Sequence, residues 1–124
     1  MLVDAGIKAG VGMAPILPGI SDRPELLADV VRAARDAGAT HVWCNVLYLK
    51  PGTREHFMEC LSREWPALLP RYQRLYAGRA YLDKRLTEPI KQRVAVLRGA
   101  AGVADRRRVK LEPPPEAEQL ALVI

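Results

Sequence analysis

Few side chains in this 124-residue sequence have the chemistry of metal ligands or nucleophiles. The two cysteines, Cys44 and Cys60, have fifteen residues between them, a spacing that fits neither a zinc knuckle nor an iron–sulfur motif. The two histidines, His41 and His56, have no carboxylate–cysteine set near them in the sequence. No glycine-rich phosphate loop and no Ser–His–Asp set is visible. The residues therefore predict no metal site and identify no catalytic group.

The polar residue that stands out is Asn45, a lone amide in the apolar run of residues 40–49. A buried amide needs a hydrogen-bond partner. Two interpretations stay open: Asn45 contacts a ligand or substrate, or it hydrogen-bonds a neighbouring strand or loop. Three tyrosines of a later, proline-interrupted segment are candidates for a substrate face, but we expect them to form an amphipathic packing surface: Tyr72, Tyr76 and Tyr81.

An alternation of strands and helices positions these residues. We predict a strand at residues 8–16, a helix that ends near Ala37, and a second strand at residues 40–49. Ser21 or Asp22 is the predicted N-cap of the helix. The second strand is apolar on both faces, which is typical of a buried parallel sheet. The pattern predicts an α/β fold built on a βαβ unit.

The second half of the chain is predicted to be helical. Thr53 is the expected N-cap of a helix that reaches Glu64, and Thr87 is expected to open another that reaches about Arg98. Beyond residue 104 the sequence is charged and then proline-rich, a composition typical of disorder. We therefore divide the chain into three parts: β/α units at 1–52, a helical extension at 53–103 and a flexible tail at 104–124.

A family resemblance rests on the stretch VGMAPILPGISD, residues 11–22. Its AP-x-x-PG-x-x-D pattern is followed by a helix, an apolar strand and a second helix that begins at KPG and contains Phe57. This arrangement resembles the C-terminal third of radical S-adenosylmethionine enzymes. The group it is most similar to is described as spore photoproduct lyase-related or DNA-repair-photolyase-like. The resemblance covers about residues 1–98.

The resemblance implies a fold and a limit on activity. The family's barrel is a partial (β/α)6, TIM-like one, in which residues 10–16 would be the fifth strand and 41–49 the sixth. The first four units and the CxxxCxxC motif, whose thiolates hold a 4Fe–4S cluster, are absent from this sequence. The parent enzyme would cleave S-adenosylmethionine reductively to a 5′-deoxyadenosyl radical. The chain alone is expected to bind no cofactor and to be inactive.

The resemblance also places cofactor-binding residues at the ends of the two strands, because ligands of parallel barrels bind there. On the first strand they are Met13, Ala14 and Pro15. On the second they are Asn45, Leu47 and Tyr48. For Met13 and Leu47, packing in the core is the alternative interpretation.

Two parallel strands are too few for a stable sheet. We therefore expect an exposed sheet edge to pair with a partner, either a missing N-terminal half or another chain. On this reading the chain is a truncated or split gene product, and Met1 is an internal start. The alternative is a stand-alone interaction module.

The tail suggests two further partners. Gln119, Leu120 and Leu122 are similar to the peptides that dock bacterial DNA-handling proteins on the sliding clamp, although Val123 replaces the expected aromatic residue. The basic cluster at residues 106–110 and the net charge of +5 suggest nucleic acid. No apolar run is long enough to span a membrane and no signal peptide is visible, so we predict a cytoplasmic protein without membrane contact.

Overall fold

The computed structural model of the chain describes residues 2–104. Two parallel strands flank the first helix, which confirms the predicted α/β class. Three more helices and a short 3-10 turn follow. The elements, in chain order, are β1 (Val11–Ile16), α1 (Pro24–Asp36), β2 (Val42–Val46), α2 (Thr53–Glu64), the 3-10 turn Pro66–Leu68, α3 (Leu69–Leu75) and α4 (Lys84–Ala101).

One face of the sheet belongs to the hydrophobic core. In β1 and β2 the buried residues on this face include Met13, Val42 and Val46. The core also holds one stripe of α1 and one stripe of α4, and α4 packs against both α1 and β2. The helical spacing of the apolar residues of α1 predicts a wider stripe that includes Leu26 and Val30, but these two are 40% and 42% exposed. The buried stripes of α1 and α4 are Leu27, Val31 and Ala34, and Ile90 and Val94.

The opposite face of the sheet is open at Gly12, Ala14 and Asn45, which are exposed, while Trp43 on the same face is half-buried. Side chains alternate along strands, so Gly12 and Ala14 of β1 and Trp43 and Asn45 of β2 share this open face. The register shift after Met13 ends this alternation in β1, and Ile16 is buried in the core. Gly12 pairs in register with Trp43, and a Cβ atom built on Gly12 would lie 2.5 Å from the indole Cζ2. A Cβ built on Gly10 would lie 2.1 Å from Nε2 of His41. The two glycines therefore make room for aromatic rings that lie across β1.

The two edges of the sheet differ. Within residues 2–104, β1 has no strand on its outer side, so that edge offers unpaired backbone groups. The outer side of β2 is partly occupied. There the N–H of Val42 donates to the carbonyl of Ala104 over 3.1 Å, and the Arg98 guanidinium donates to the carbonyl of Val42, also over 3.1 Å.

Helix α1 begins without the caps that the sequence predicts. Its N-cap is Arg23, and the predicted N-caps hydrogen-bond to the preceding turn instead. Ser21 Oγ accepts from the N–H of Leu17 at 2.8 Å, and Asp22 Oδ1 accepts from the N–H of Gly19 at 3.0 Å. Both polar groups stabilise the Pro18-Gly19 turn, and Pro24, which has no N–H to satisfy, opens the helix.

Two other predicted caps are also wrong. Gly52, not Thr53, is the N-cap of α2, and its N–H donates to the Glu55 carboxylate. Helix α4 begins at Lys84, one turn earlier than predicted, because Asp83 accepts a hydrogen bond from the N–H of Arg85 at 2.9 Å. Thr87 is therefore a buried residue inside the helix. Strand β1 begins later than predicted but ends at Ile16 as predicted, and β2 is shorter than predicted at both ends.

Replacing Gly12 with alanine tests the close packing of the open face. The added methyl group collides with the Trp43 indole, so we expect a loss of about 1–3 kcal/mol in the free energy of unfolding, with a shift in tryptophan fluorescence. Gly99→Ala is the matched control: it lies in α4 with no atom within 4 Å of the new Cβ. That variant should gain about 0.5–1 kcal/mol, since alanine favours helix. Equal stabilities in denaturant titrations would contradict this packing.

Candidate functional site

The ends of the two strands meet at a bulge. Met13 pairs with Cys44 and Ile16 with Val46, so two residues of β1 stand opposite the single residue Asn45 of β2. Those two residues are Ala14 and Pro15, joined by a cis peptide bond, and all three are exposed. Bulges of this kind are frequent beside active sites because they redirect side chains. The bulge thus brings three of the six predicted cofactor contacts to one register position.

A cleft of about 500 Å³ opens beside the end of β2. Asn45 and Tyr48 form one side of it, and the start of α4 with the loop before it forms the other. None of the residues that line it is acidic, and two of them are lysines. The lining consists of Asn45, Val46, Leu47, Tyr48, Tyr81, Leu82, Lys84, Thr87 and Lys91.

Two buried tyrosines, one in α3 and one at its C-cap, connect this helix to the ends of both strands. The Tyr72 hydroxyl donates to the carbonyl of Pro18, after β1, and the Tyr76 hydroxyl donates to the carbonyl of Leu47, after β2. Both side chains are 0% exposed, and their rings stack with centroids 5.9 Å apart. Burial raises the pKa of both hydroxyls, to about 12 for Tyr76. The expected packing role thus describes these two tyrosines.

Tyr81, in contrast, is 59% exposed and stacks on Tyr48, with ring centroids 5.2 Å apart. Lys50 Nζ lies 5.9 Å from the centroid of the Tyr48 ring. The stacked pair forms an exposed aromatic surface at the mouth of the cleft.

The six predicted contacts therefore fall into different surroundings. Asn45, Leu47 and Tyr48 line the cleft, and Ala14 and Pro15 lie on the open face. Met13 is buried in the core, as its packing interpretation expects. The Leu47 side chain is buried as well. Asn45 is exposed and its side chain makes no hydrogen bond to another residue of the 2–104 segment, so the expected bond to a neighbouring strand or loop is not formed there and the amide is accessible to a ligand.

Sequence reasoning missed the α4 side of the cleft. Lys84, Thr87 and Lys91 repeat at i, i+3 and i+7, which places them on one face of a helix. Because the sequence predicts that this helix begins at Thr87, Lys84 falls outside the predicted helix and its alignment with Thr87 and Lys91 is not apparent. Reading Asp83 as the N-cap would have revealed it, because aspartate is among the preferred residues at that position.

The cysteines and histidines do not assemble a metal site. Within residues 2–104 no group of three or more potential metal-ligating side chains comes together. Cys44 is half-buried in β2, while Cys60 lies in α2 with its Sγ 3.8 Å from Nε2 of His56. In the same part of the chain, no helix combines the length and the apolar character that crossing a bilayer requires.

The predicted tail contacts cannot be placed. The basic cluster at 106–110 and the clamp-like Gln119, Leu120 and Leu122 lie outside the described residues.

Comparisons with known proteins identify relatives of greater length. The chain is 37% identical over 114 residues to uncharacterized proteins of Mycobacterium bovis and of two strains of Mycobacterium tuberculosis. The match covers 92% of this chain but 33% of each relative, so the chain spans about a third of their length. No protein-family model matches the chain, and no solved structure matches it.

Tyrosine-to-phenylalanine variants test the link between α3 and the strands. Tyr72→Phe and Tyr76→Phe each leave a carbonyl without its buried donor, so we expect each to lose about 1–3 kcal/mol in the free energy of unfolding. Tyr81→Phe is the control, because this ring is exposed; its change should stay within about 0.5 kcal/mol. Three equal losses in denaturant titrations would contradict the assigned hydrogen bonds.

High pH should weaken the same link. The folded pKa values of Tyr72 and Tyr76 lie above the ordinary value of 10, so folding favours their neutral forms. The contribution to stability is complete below about pH 10 and is lost as the pH rises towards 12. Stability measured between pH 8 and 12 should fall steeply only above pH 10, with tyrosinate absorbance rising as the protein unfolds. A stability independent of pH in that upper range would refute it.

Proposed function

We propose that the chain forms the last two β/α units of a radical S-adenosylmethionine barrel. In this proposal β1 and β2 are its fifth and sixth strands, and their ends form one wall of the cofactor pocket. The observation that carries it is the one-sided sheet. Helices pack on one face, while the face with Gly12, Trp43 and Asn45 stays open and the outer edge of β1 has no neighbour within residues 2–104.

A sheet with helices on one face and an open opposite face is what two neighbouring strands of a parallel β/α barrel require. Helices surround the outside of such a barrel, and ligands bind at the carboxyl ends of its strands. Here the bulge at Ala14, Pro15 and Asn45 lies at those ends. The length of the mycobacterial relatives supports the proposal too, because about two thirds of each lies outside the match and has room for four more units.

The free edge of β1 is the proposed partner surface. An unpaired edge favours addition of a further strand. We assign it to the preceding strand of the same barrel, whether that strand belongs to the rest of the polypeptide or to another chain.

The residues present suit S-adenosylmethionine but not the cluster. The Asn45 amide, which both donates and accepts hydrogen bonds, is exposed at the bulge beside Pro15 and near Tyr48, so these residues would hold the adenosine half. When bound beside a reduced cluster, the cofactor supplies a 5′-deoxyadenosyl radical. Cys44 and Cys60 lie on different elements, and two thiolates are too few for a 4Fe–4S cluster. In this proposal the cluster ligands belong to the other units of the barrel, and we place the protein in the reducing cytoplasm.

The Mycobacterium tuberculosis relative, which has the additional length, provides the test. Purified and reconstituted without oxygen, it should show the absorption of a 4Fe–4S cluster and form 5′-deoxyadenosine from S-adenosylmethionine and a reductant. Alanine at its position aligned with Asn45 should lower 5′-deoxyadenosine formation about tenfold, while the cluster absorption stays unchanged.

The present 124-residue chain is the matched comparison and should form neither a cluster nor 5′-deoxyadenosine. A relative without a cluster would contradict the proposal. So would a cluster assembled on this chain alone, because the described residues lack a ligand set for it.

A further inference from the structure

We infer that the cleft between β2 and α4 binds a mononucleotide, with its base stacked on the exposed Tyr81–Tyr48 pair and its phosphate held by Lys84 and Lys91. The cleft shares Asn45 and Tyr48 with the proposed cofactor wall, but residues 45–91 form all of it, so the inference can be tested on this chain without other barrel units.

The aromatic pair carries the first half of the argument. Tyr48 and Tyr81 stack at an interplanar angle of 21°, yet they remain 45% and 59% exposed. Both neighbours of Tyr81 are held: the carbonyl of Ala80 accepts from the N–H of Leu49 at 2.7 Å, and the Leu82 side chain is buried. An ordered, exposed aromatic surface provides a platform for a nucleobase, and stacking of this kind does not depend on the identity of the base.

The charges carry the second half. The lining of the cleft contains two lysines and no carboxylate, and Lys50 lies beside the Tyr48 ring. Within residues 2–104 every ion pair uses arginine, so neither Lys84 nor Lys91 has a carboxylate partner. Their spacing places both ammonium groups on the cleft side of α4. The two lysines lie two helical turns apart, about 10 Å along the axis, and both line the cleft, so a phosphate between them would be attracted by both charges.

The size of the cleft favours a single nucleotide over a longer ligand. A volume of about 500 Å³ lies within the usual range of small-molecule sites. The lining also offers polar groups for a sugar or for base edges. The Asn45 amide is exposed there, and the Thr87 hydroxyl lies near the lysines with only a long hydrogen bond, 3.5 Å, to the carbonyl of Lys84.

Titration of the full chain with AMP, followed by amide NMR spectra, tests this inference. We expect saturable shifts at residues 45–48 and 81–91. Adenosine, which lacks the phosphate, and ribose 5-phosphate, which lacks the base, should each bind about tenfold more weakly or worse. S-adenosylmethionine, which has no phosphate, should also bind more weakly; affinity equal to that of AMP would identify the cleft as a cofactor pocket and overturn the inference.

Variants assign the two contacts separately. Tyr81→Leu should weaken AMP binding at least about fivefold, because it keeps an apolar side chain but removes the ring. Lys84→Gln and Lys91→Gln should each weaken it about tenfold. Trp65→Leu and Lys8→Gln are the matched controls, an exposed aromatic residue and an exposed lysine outside the cleft, and should leave the affinity unchanged.

Three results would overturn the inference. The first is the absence of AMP-dependent shifts in a folded chain. The second is binding that Tyr81→Leu and the lysine variants do not weaken. The third is a thymidine octanucleotide that binds more than about eightfold more tightly than AMP, a gain beyond its eight copies of one nucleotide. That result would indicate a site for single-stranded DNA instead.

Discussion

The hydrogen bonds from two buried tyrosines to the strand ends are the constraint on which the arrangement of this chain depends. Tyr72 and Tyr76 lie one helical turn apart, and each donates to a carbonyl that follows a different strand. A buried carbonyl that follows the end of a strand is no longer paired with the neighbouring strand, so it needs another hydrogen-bond donor. Because the rings are buried and stacked, a short helix of seven residues is sufficient to hold the second half of the chain against the sheet.

This anchoring determines where function can reside. With α3 fixed at the strand ends, the chain returns through Tyr81 and Asp83 so that α4 packs along β2 and α1. The cleft is the space left between that return and the end of β2. The open sheet face is separate from it, and Asn45 borders both, since it faces away from the core at the bulge and also lines the cleft. One residue thus connects the proposed barrel interior with the proposed nucleotide site.

Much of the fold could be predicted from the sequence, because hydrophobic periodicity records which face of each element is buried. The stripe of α1 and the apolar run of β2 gave the βαβ unit and its parallel pairing. The caps could not be predicted as readily. Ser21 and Asp22 suit both a turn and a helix cap, and only the geometry of the Pro18-Gly19 turn decides between them. The open face was also missed, because an apolar strand suggests burial on both sides while Gly10 and Gly12 reveal their role only when His41 and Trp43 lie over them.

The central claim is that β1 and β2 are two neighbouring strands of a larger barrel. A crystal structure of the Mycobacterium tuberculosis relative tests this claim most directly. We predict a third parallel strand on the outer edge of the strand that matches β1. We also predict that the face carrying the counterparts of Gly12 and Asn45 points into a barrel, with the counterparts of α1 and α4 outside. A structure in which that strand remains at the edge of its sheet, or in which a helix covers the open face, would contradict it.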